Sequence, residues 1–197
     1  MNIRKFKFET AQNDLDDLRS RLALTRWPDP ETPNDWSQGV PLAYMQSICK
    51  YWQDEYDWQR CQDKLNSFPQ FITEIDGLEI QFMHIKSENE NAVPLLMTHG
   101  WPGSILEFTK VIEPLTNPKD HRDSEGVAFH LICPTLPGFG YSGKPSSPGW
   151  GLSRIAEAWN RLMLALGYDK YFAQGGDWGA AVTLAIAVEH TANCIGM

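Results

Sequence analysis

The sequence predicts an α/β protein: a mostly parallel sheet with flanking helices, preceded by a helical N-terminal region. Three observations predict it. From Val93 onward, short apolar strand patterns alternate with helical ones, the order that gives parallel strands joined by right-handed crossovers. Up to residue 70 the apolar spacing is that of helices, interrupted by loops. A Gly-Gly-Asp-Trp-Gly turn at residues 175–179 joins a strand to an apolar helix.

The first predicted helix covers residues 13–26, with Leu15, Leu18 and Leu22 at helical spacing. Asp14, Asp16 and Asp17 lie at its start and Arg19, Arg21 and Arg26 toward its end, an order that complements the helix dipole. Pro28, Pro30 and Pro33 then break it. A second helix is predicted over 41–56, with Leu42, Met45, Ile48 and Trp52 on one face, and a shorter third over 59–65.

At Phe71 the period changes. Residues 71–75 and 78–85 are rich in β-formers and flank Asp76-Gly77, a strong hairpin signal. Residues 87–91 form a polar loop. The spacing then predicts a strand over 93–98, an amphipathic helix over 105–115 and a strand over 127–133. A helix follows over 153–166 with Ile155, Trp159, Leu162 and Leu166 in register and Gly167 as its stop. A strand is predicted over 171–174, and the helix over 178–189 is apolar almost all round, so burial is expected. Residues 193–197 read as a strand beginning where the sequence stops. The expectation is therefore a chain cut after the helix that follows the glycine-rich turn, with residues 1–70 as its helical region and 71–197 as an incomplete core.

Composition narrows the function. The chain has 197 residues and a net charge of -8, which disfavours binding to a phosphate backbone. Cys49, Cys61, Cys133 and Cys194 form no C-x-x-C pair and read as reduced thiols of a cytoplasmic protein. His84, His121 and His130 show no ligand spacing, so no metal is expected. Residues 1–10 are charged and lack a signal-peptide apolar core. The longest apolar stretch, 180–188, is too short to span a bilayer.

Residues 175–179 carry the chemistry. The pattern small-x-nucleophile-x-small between strand and helix is that of a nucleophile elbow. Gly175 and Gly179 let strand and helix approach closely, with Gly176 between Gly175 and the central residue, and that residue meets the helix N-terminus, where an anion is favoured. Here it is Asp177. A carboxylate is already ionised at neutral pH and attacks saturated carbon to give an alkyl ester. Water must then attack the ester carbonyl, which requires an oxyanion hole and a base.

A second motif, His99-Gly100-Trp101-Pro102-Gly103-Ser104, follows the strand ending at Thr98. The oxyanion hole is therefore assigned to the backbone N–H groups of Trp101 and Trp178, with both indoles lining an apolar pocket. His99 reads as a structural, hydrogen-bonded residue, and His190 as a helix terminus. Gly138-Phe139-Gly140-Tyr141-Ser142-Gly143 matches G-x-G-x-x-G, but Pro145 and Pro148 follow where a dinucleotide site needs a helix. Trp52 and Trp159 read as packing. There is no G-x-S-x-G, and no cofactor is expected.

These motifs, with Pro134-Thr135-Leu136-Pro137-Gly138-Phe139-Gly140-Tyr141-Ser142 and Thr25-Arg26-Trp27-Pro28-Asp29, resemble the microsomal-type epoxide hydrolases of the α/β-hydrolase fold over nearly the whole chain. The resemblance implies opening of a small apolar epoxide by water to a vicinal diol through an aspartyl ester. It also implies lid tyrosines that protonate the epoxide oxygen and a histidine, oriented by an acid, that activates water. None of these has a counterpart in this sequence, so the chain alone is expected to be incompetent. The competing readings are a haloalkane dehalogenase-like hydrolase, which also places Trp after an elbow Asp, and a non-catalytic remnant.

Overall fold

In a computed structural model of the chain, which describes residues 1–120 and 126–197, the elements run in the order expected of alternating strands and helices. His121 lies outside the described residues. The chain divides into two compact units, one of residues 8–64 and the other of residues 1–7 with 65–197.

The smaller unit holds α1 (Gln12–Ala23) and α2 (Leu42–Asp54), with most of α3 (Trp58–Asn66). The apolar face predicted for α2 forms, but Met45, Ile48 and Trp52 remain 42–45% exposed. Trp52 is therefore not a buried packing residue. With Leu15, Leu18, Ile48, Tyr51, Tyr56 and Trp58 it lines an open apolar groove of about 400 Å³.

The larger unit is a seven-stranded mixed sheet in the order β1-β2-β3-β5-β4-β6-β7. Its strands are β1 (Arg4–Lys5), β2 (Gln70–Ile75), β3 (Leu78–Ile85), β4 (Val93–Thr98), β5 (Phe129–Pro134), β6 (Tyr171–Gly175) and β7 (Cys194–Gly196). The pairs β1–β2, β2–β3 and β3–β5 are antiparallel; β5–β4, β4–β6 and β6–β7 are parallel. At the β2–β3 turn Asp76 has φ 52° and Gly77 φ 78°, the two positive values of a type I′ hairpin. β1 adds a two-residue edge strand that the N-terminal sequence pattern does not announce, because both its residues are exposed and charged.

The amphipathic helix expected over 105–115 forms as two pieces, a 3₁₀ turn Ile105–Phe108 and α4 (Ile112–Thr116). Pro114 explains the break. In one continuous helix it would lack the N–H for the Lys110 carbonyl and press its ring on it, whereas in the first turn of a new helix neither matters. Ser104 caps the 3₁₀ turn in a capping box with Glu107.

α5 (Leu152–Ala165) buries Ala156, Trp159, Leu162 and Met163 against the sheet. It ends as its glycine predicts. Gly167 has φ 88°, its N–H donates to the Leu164 carbonyl and the Tyr168 N–H to that of Met163, a Schellman pair. The core of Ile80, Phe82, Leu96, Ile132, Trp159 and Tyr171 sits between this helix layer and the sheet, and the Tyr171 hydroxyl donates to Asn160 Oδ1 at 2.8 Å.

α6 (Trp178–Glu189) departs from expectation. It buries Gly179, Val182, Thr183 and Ile186, but Leu184 is 53% and Val188 67% exposed. Its packing on β4, β6 and α5 engages one face, which an all-apolar sequence cannot specify. Among the described residues no helix is long and apolar enough to cross a membrane.

Candidate active site

The parallel pairing of β4 with β6 sets Thr98 beside Gly175, so the loops that leave these two strands are neighbours. Asp177 is the N-cap of α6 and has φ 53° and ψ -126°. For a residue with a Cβ this is sparsely populated backbone, costing on the order of 1–3 kcal/mol. The glycines of the turn make it possible. A Cβ on Gly175 would collide with the Gly179 carbonyl, and a Cβ on Gly179 with the Thr98 carbonyl. Gly176 carries no such constraint, since a Cβ there meets nothing within 4 Å.

The loop after β4 closes on this turn. The Trp101 N–H donates to Asp177 Oδ1 at 2.8 Å. Gly100 makes the approach possible, because a Cβ there would stand 2.7 Å from both Cβ and Oδ1 of Asp177. Pro102 follows through a cis Trp101–Pro102 peptide bond. The N–H groups of Trp101, first, and Trp178 hold the Asp177 carboxyl below its ordinary range by stabilising the anion.

His99 underlies the loop. It is 1% exposed, the Leu136 N–H donates to its Nε2 at 3.1 Å, and its Nδ1 lies 2.9 Å from the Gly100 carbonyl. With Nε2 accepting, Nδ1 carries the proton and donates. Burial holds the imidazole below its usual pKa, so it is neutral. Its ring meets Phe139 edge-on at 5.5 Å and ties the loop after β4 to the loop after β5.

That second loop contains the G-x-G-x-x-G match, and its glycines serve turns. Gly138 and Gly140 have φ 85° and 46°, and the Gly143 N–H donates to the Glu79 carbonyl at 2.7 Å. The Ser142 hydroxyl donates to the Thr135 carbonyl at 2.8 Å and accepts from the Gln81 N–H. Beside the turn lies a cavity of about 260 Å³ lined by Trp101, Leu136, Pro137, Phe139, Trp150, Leu152, Ile155, Trp178 and Val182. Sequence reasoning placed Trp101 and Trp178 there and missed Trp150, Leu152 and Ile155, which the fold of the loop brings in.

His84 and His130 lie away from Asp177. The Tyr168 hydroxyl is 2.9 Å from His84 Nε2, and the Tyr168 ring stacks on His130. His190, at the C-terminus of α6, is 3.5 Å from Glu157 Oε2.

Comparison with known proteins places this geometry. Residues 3–108 match the family described as "Epoxide hydrolase N terminus", and residues 93–197 the family described as "alpha/beta hydrolase fold". A Stigmatella aurantiaca protein, named provisionally as an epoxide hydrolase, is 52% identical over 195 residues, which is 99% of this chain and 44% of its own. Epoxide hydrolase 1 of Oryctolagus cuniculus is 40% identical over 190 residues, covering 94% of this chain and 42% of its own. The crystal structure of juvenile hormone epoxide hydrolase from the silkworm Bombyx mori superposes with a TM-score of 0.87 at 35% identity, covering 99% of this chain and 52% of that one. The chain thus spans less than half the length of these two curated relatives. It belongs, by its matches along both halves and by its fold, to the epoxide hydrolase family of the α/β-hydrolase fold.

Proposed function

We propose that the whole protein opens an epoxide with water to a vicinal diol, with Asp177 as nucleophile and the Trp101 and Trp178 N–H groups as oxyanion hole. The observation that carries this reading is the Asp177 carboxylate, raised on strained backbone at the end of β6 and held ionised by the Trp101 N–H at 2.8 Å.

An Asp177 carboxylate oxygen attacks one epoxide carbon. The C–O bond to that carbon breaks, and the epoxide oxygen leaves as an alkoxide that takes a proton from a donor. In the second step water gives a proton to a base and adds to the Asp177 ester carbonyl, whose oxygen becomes the anion, and the N–H groups that steadied the carboxylate now steady the tetrahedral intermediate. On collapse the bond to the diol oxygen breaks, that oxygen takes the proton back from the base, and Asp177 returns to the carboxylate by releasing a proton to the donor used in the first step. The aromatic cavity beside Asp177 suits an apolar epoxide. His99 serves as scaffold here, not as the base, since both of its ring nitrogens are engaged by backbone.

The test is product analysis of the whole protein with a terminal epoxide, beside its Asp177→Asn variant. Diol from the first and none from the second is expected. Halide released from a haloalkane, with no diol from the epoxide, would instead make the protein a dehalogenase.

A further inference from the structure

Trp150 belongs to the cavity beside Asp177 yet comes from a loop with little regular structure, bounded by Pro145, Pro148, Gly149 and Gly151. Two contacts hold it, and a third holds one of them. Its ring packs on the core. The Arg154 guanidinium lies over it, 4.4 Å from the ring centroid. Arg154 in turn lies 3.8 Å through Nε from Asp76 Oδ2, at the β2–β3 turn. Asp76 does not swing freely, because its Oδ1 also accepts from Arg161 Nη1 at 2.7 Å.

Resting on the function proposed above, we propose that Trp150 is a specificity-determining residue that grips the apolar substituent of the epoxide, and that Arg154, anchored by Asp76, is its positioning residue. Trp101 and Trp178 flank the reacting carboxylate, so an epoxide carbon at Asp177 directs its substituent into the cavity they share with Trp150. A flat indole face offers a large apolar contact at little entropic cost when it is already held. The guanidinium over the indole supplies that hold by a cation–π contact, and the longer ion pair with Asp76 favours this placement of the guanidinium. Substituents with a flat apolar face gain from this wall; a methyl group reaches little of it.

The experiment compares kcat/KM for styrene oxide and propylene oxide in the whole protein. In Trp150→Ala the ratio of the two should fall by roughly tenfold or more, the size expected when a pocket loses a large apolar contact. Trp150→Phe should retain part of it, which guards against a folding defect. Arg154→Ala should lower the ratio roughly three- to fivefold through KM for styrene oxide, and Arg154→Lys should recover most of it by keeping a cation over the ring. A ratio unchanged in Trp150→Ala overturns the proposal for Trp150. A ratio that falls there but not in Arg154→Ala overturns the role of Arg154. No diol from either epoxide in the wild type overturns the function proposed above, and this inference with it.

Discussion

The Trp101 N–H and Asp177 Oδ1 are joined by a 2.8 Å hydrogen bond across 76 residues of sequence. It links the loop after β4 to the turn after β6, and Gly100 leaves room for it by letting the loop backbone come close to the Asp177 side chain. If this carboxylate is the nucleophile, Asp177→Asn should lower diol formation by at least roughly three orders of magnitude, as loss of a nucleophile does elsewhere. Chromatographic assay of the diol in the whole protein checks it, and undiminished activity would refute the role.

The same bond fixes a pH dependence. The N–H groups of Trp101 and Trp178 lower the pKa of Asp177, so the anion persists below the ordinary carboxylate range of about 4. The rate of alkylation, followed in a single turnover, should stay flat as pH falls from 7 to about 5. A loss of alkylation rate that titrates above pH 5, matched by protonation of the Asp177 carboxyl over the same range in NMR, would contradict the assignment.

The turn glycines set a stability prediction. Gly179→Ala places a methyl against the Thr98 carbonyl, a main-chain atom in the sheet that cannot swing aside. The cost should be about 2–3 kcal/mol, read from thermal or denaturant unfolding. Gly176→Ala, where a Cβ meets nothing, should cost far less.

His84 and His130 set another. Burial first, and then the neighbouring Lys86, lower both pKa values, that of His84 to about 4. A folded-state pKa below the unfolded value of about 6.5 means that the unfolded chain binds the proton first. Stability should be full above pH 6.5 and fall as pH drops toward 4, by on the order of 2 kcal/mol for His84 after allowance for its partial contact with water. His84→Gln should flatten that stretch of an unfolding-against-pH profile.

The 197-residue polypeptide by itself should not turn over epoxides. His99, in the site loop itself, has both nitrogens bonded to backbone, and among the described residues no histidine is hydrogen-bonded to Asp177. Repeated diol formation by the purified polypeptide would show that a base exists within it.

Much of the fold was legible in the sequence, and the reasons are local. The strands at Val93–Thr98 and Leu78–Ile85 and the helix at Trp178–Glu189 lie where apolar runs meet turn residues. Gly167 stopped α5 where its left-handed backbone is needed. Local pattern failed where one residue overrode the period, as Pro114 did, or where tertiary packing chose the buried face, as on α6. Asp177, Trp101 and Trp178 could be named because their motifs encode a turn. Trp150 and Arg154 could not: their contact depends on how a proline- and glycine-rich loop lies against the first turn of α5 and on an aspartate in a distant hairpin.

The most direct test of the central claim is a single turnover of the whole protein, in excess over epoxide, in water enriched in oxygen-18, followed by mass spectrometry of the peptide that contains Asp177. An aspartyl ester hydrolysed at its carbonyl puts heavy oxygen into the Asp177 carboxylate and leaves the diol of that turnover unlabelled. Heavy oxygen in the diol with none in Asp177 would mean that water attacks the epoxide directly, and would contradict the account.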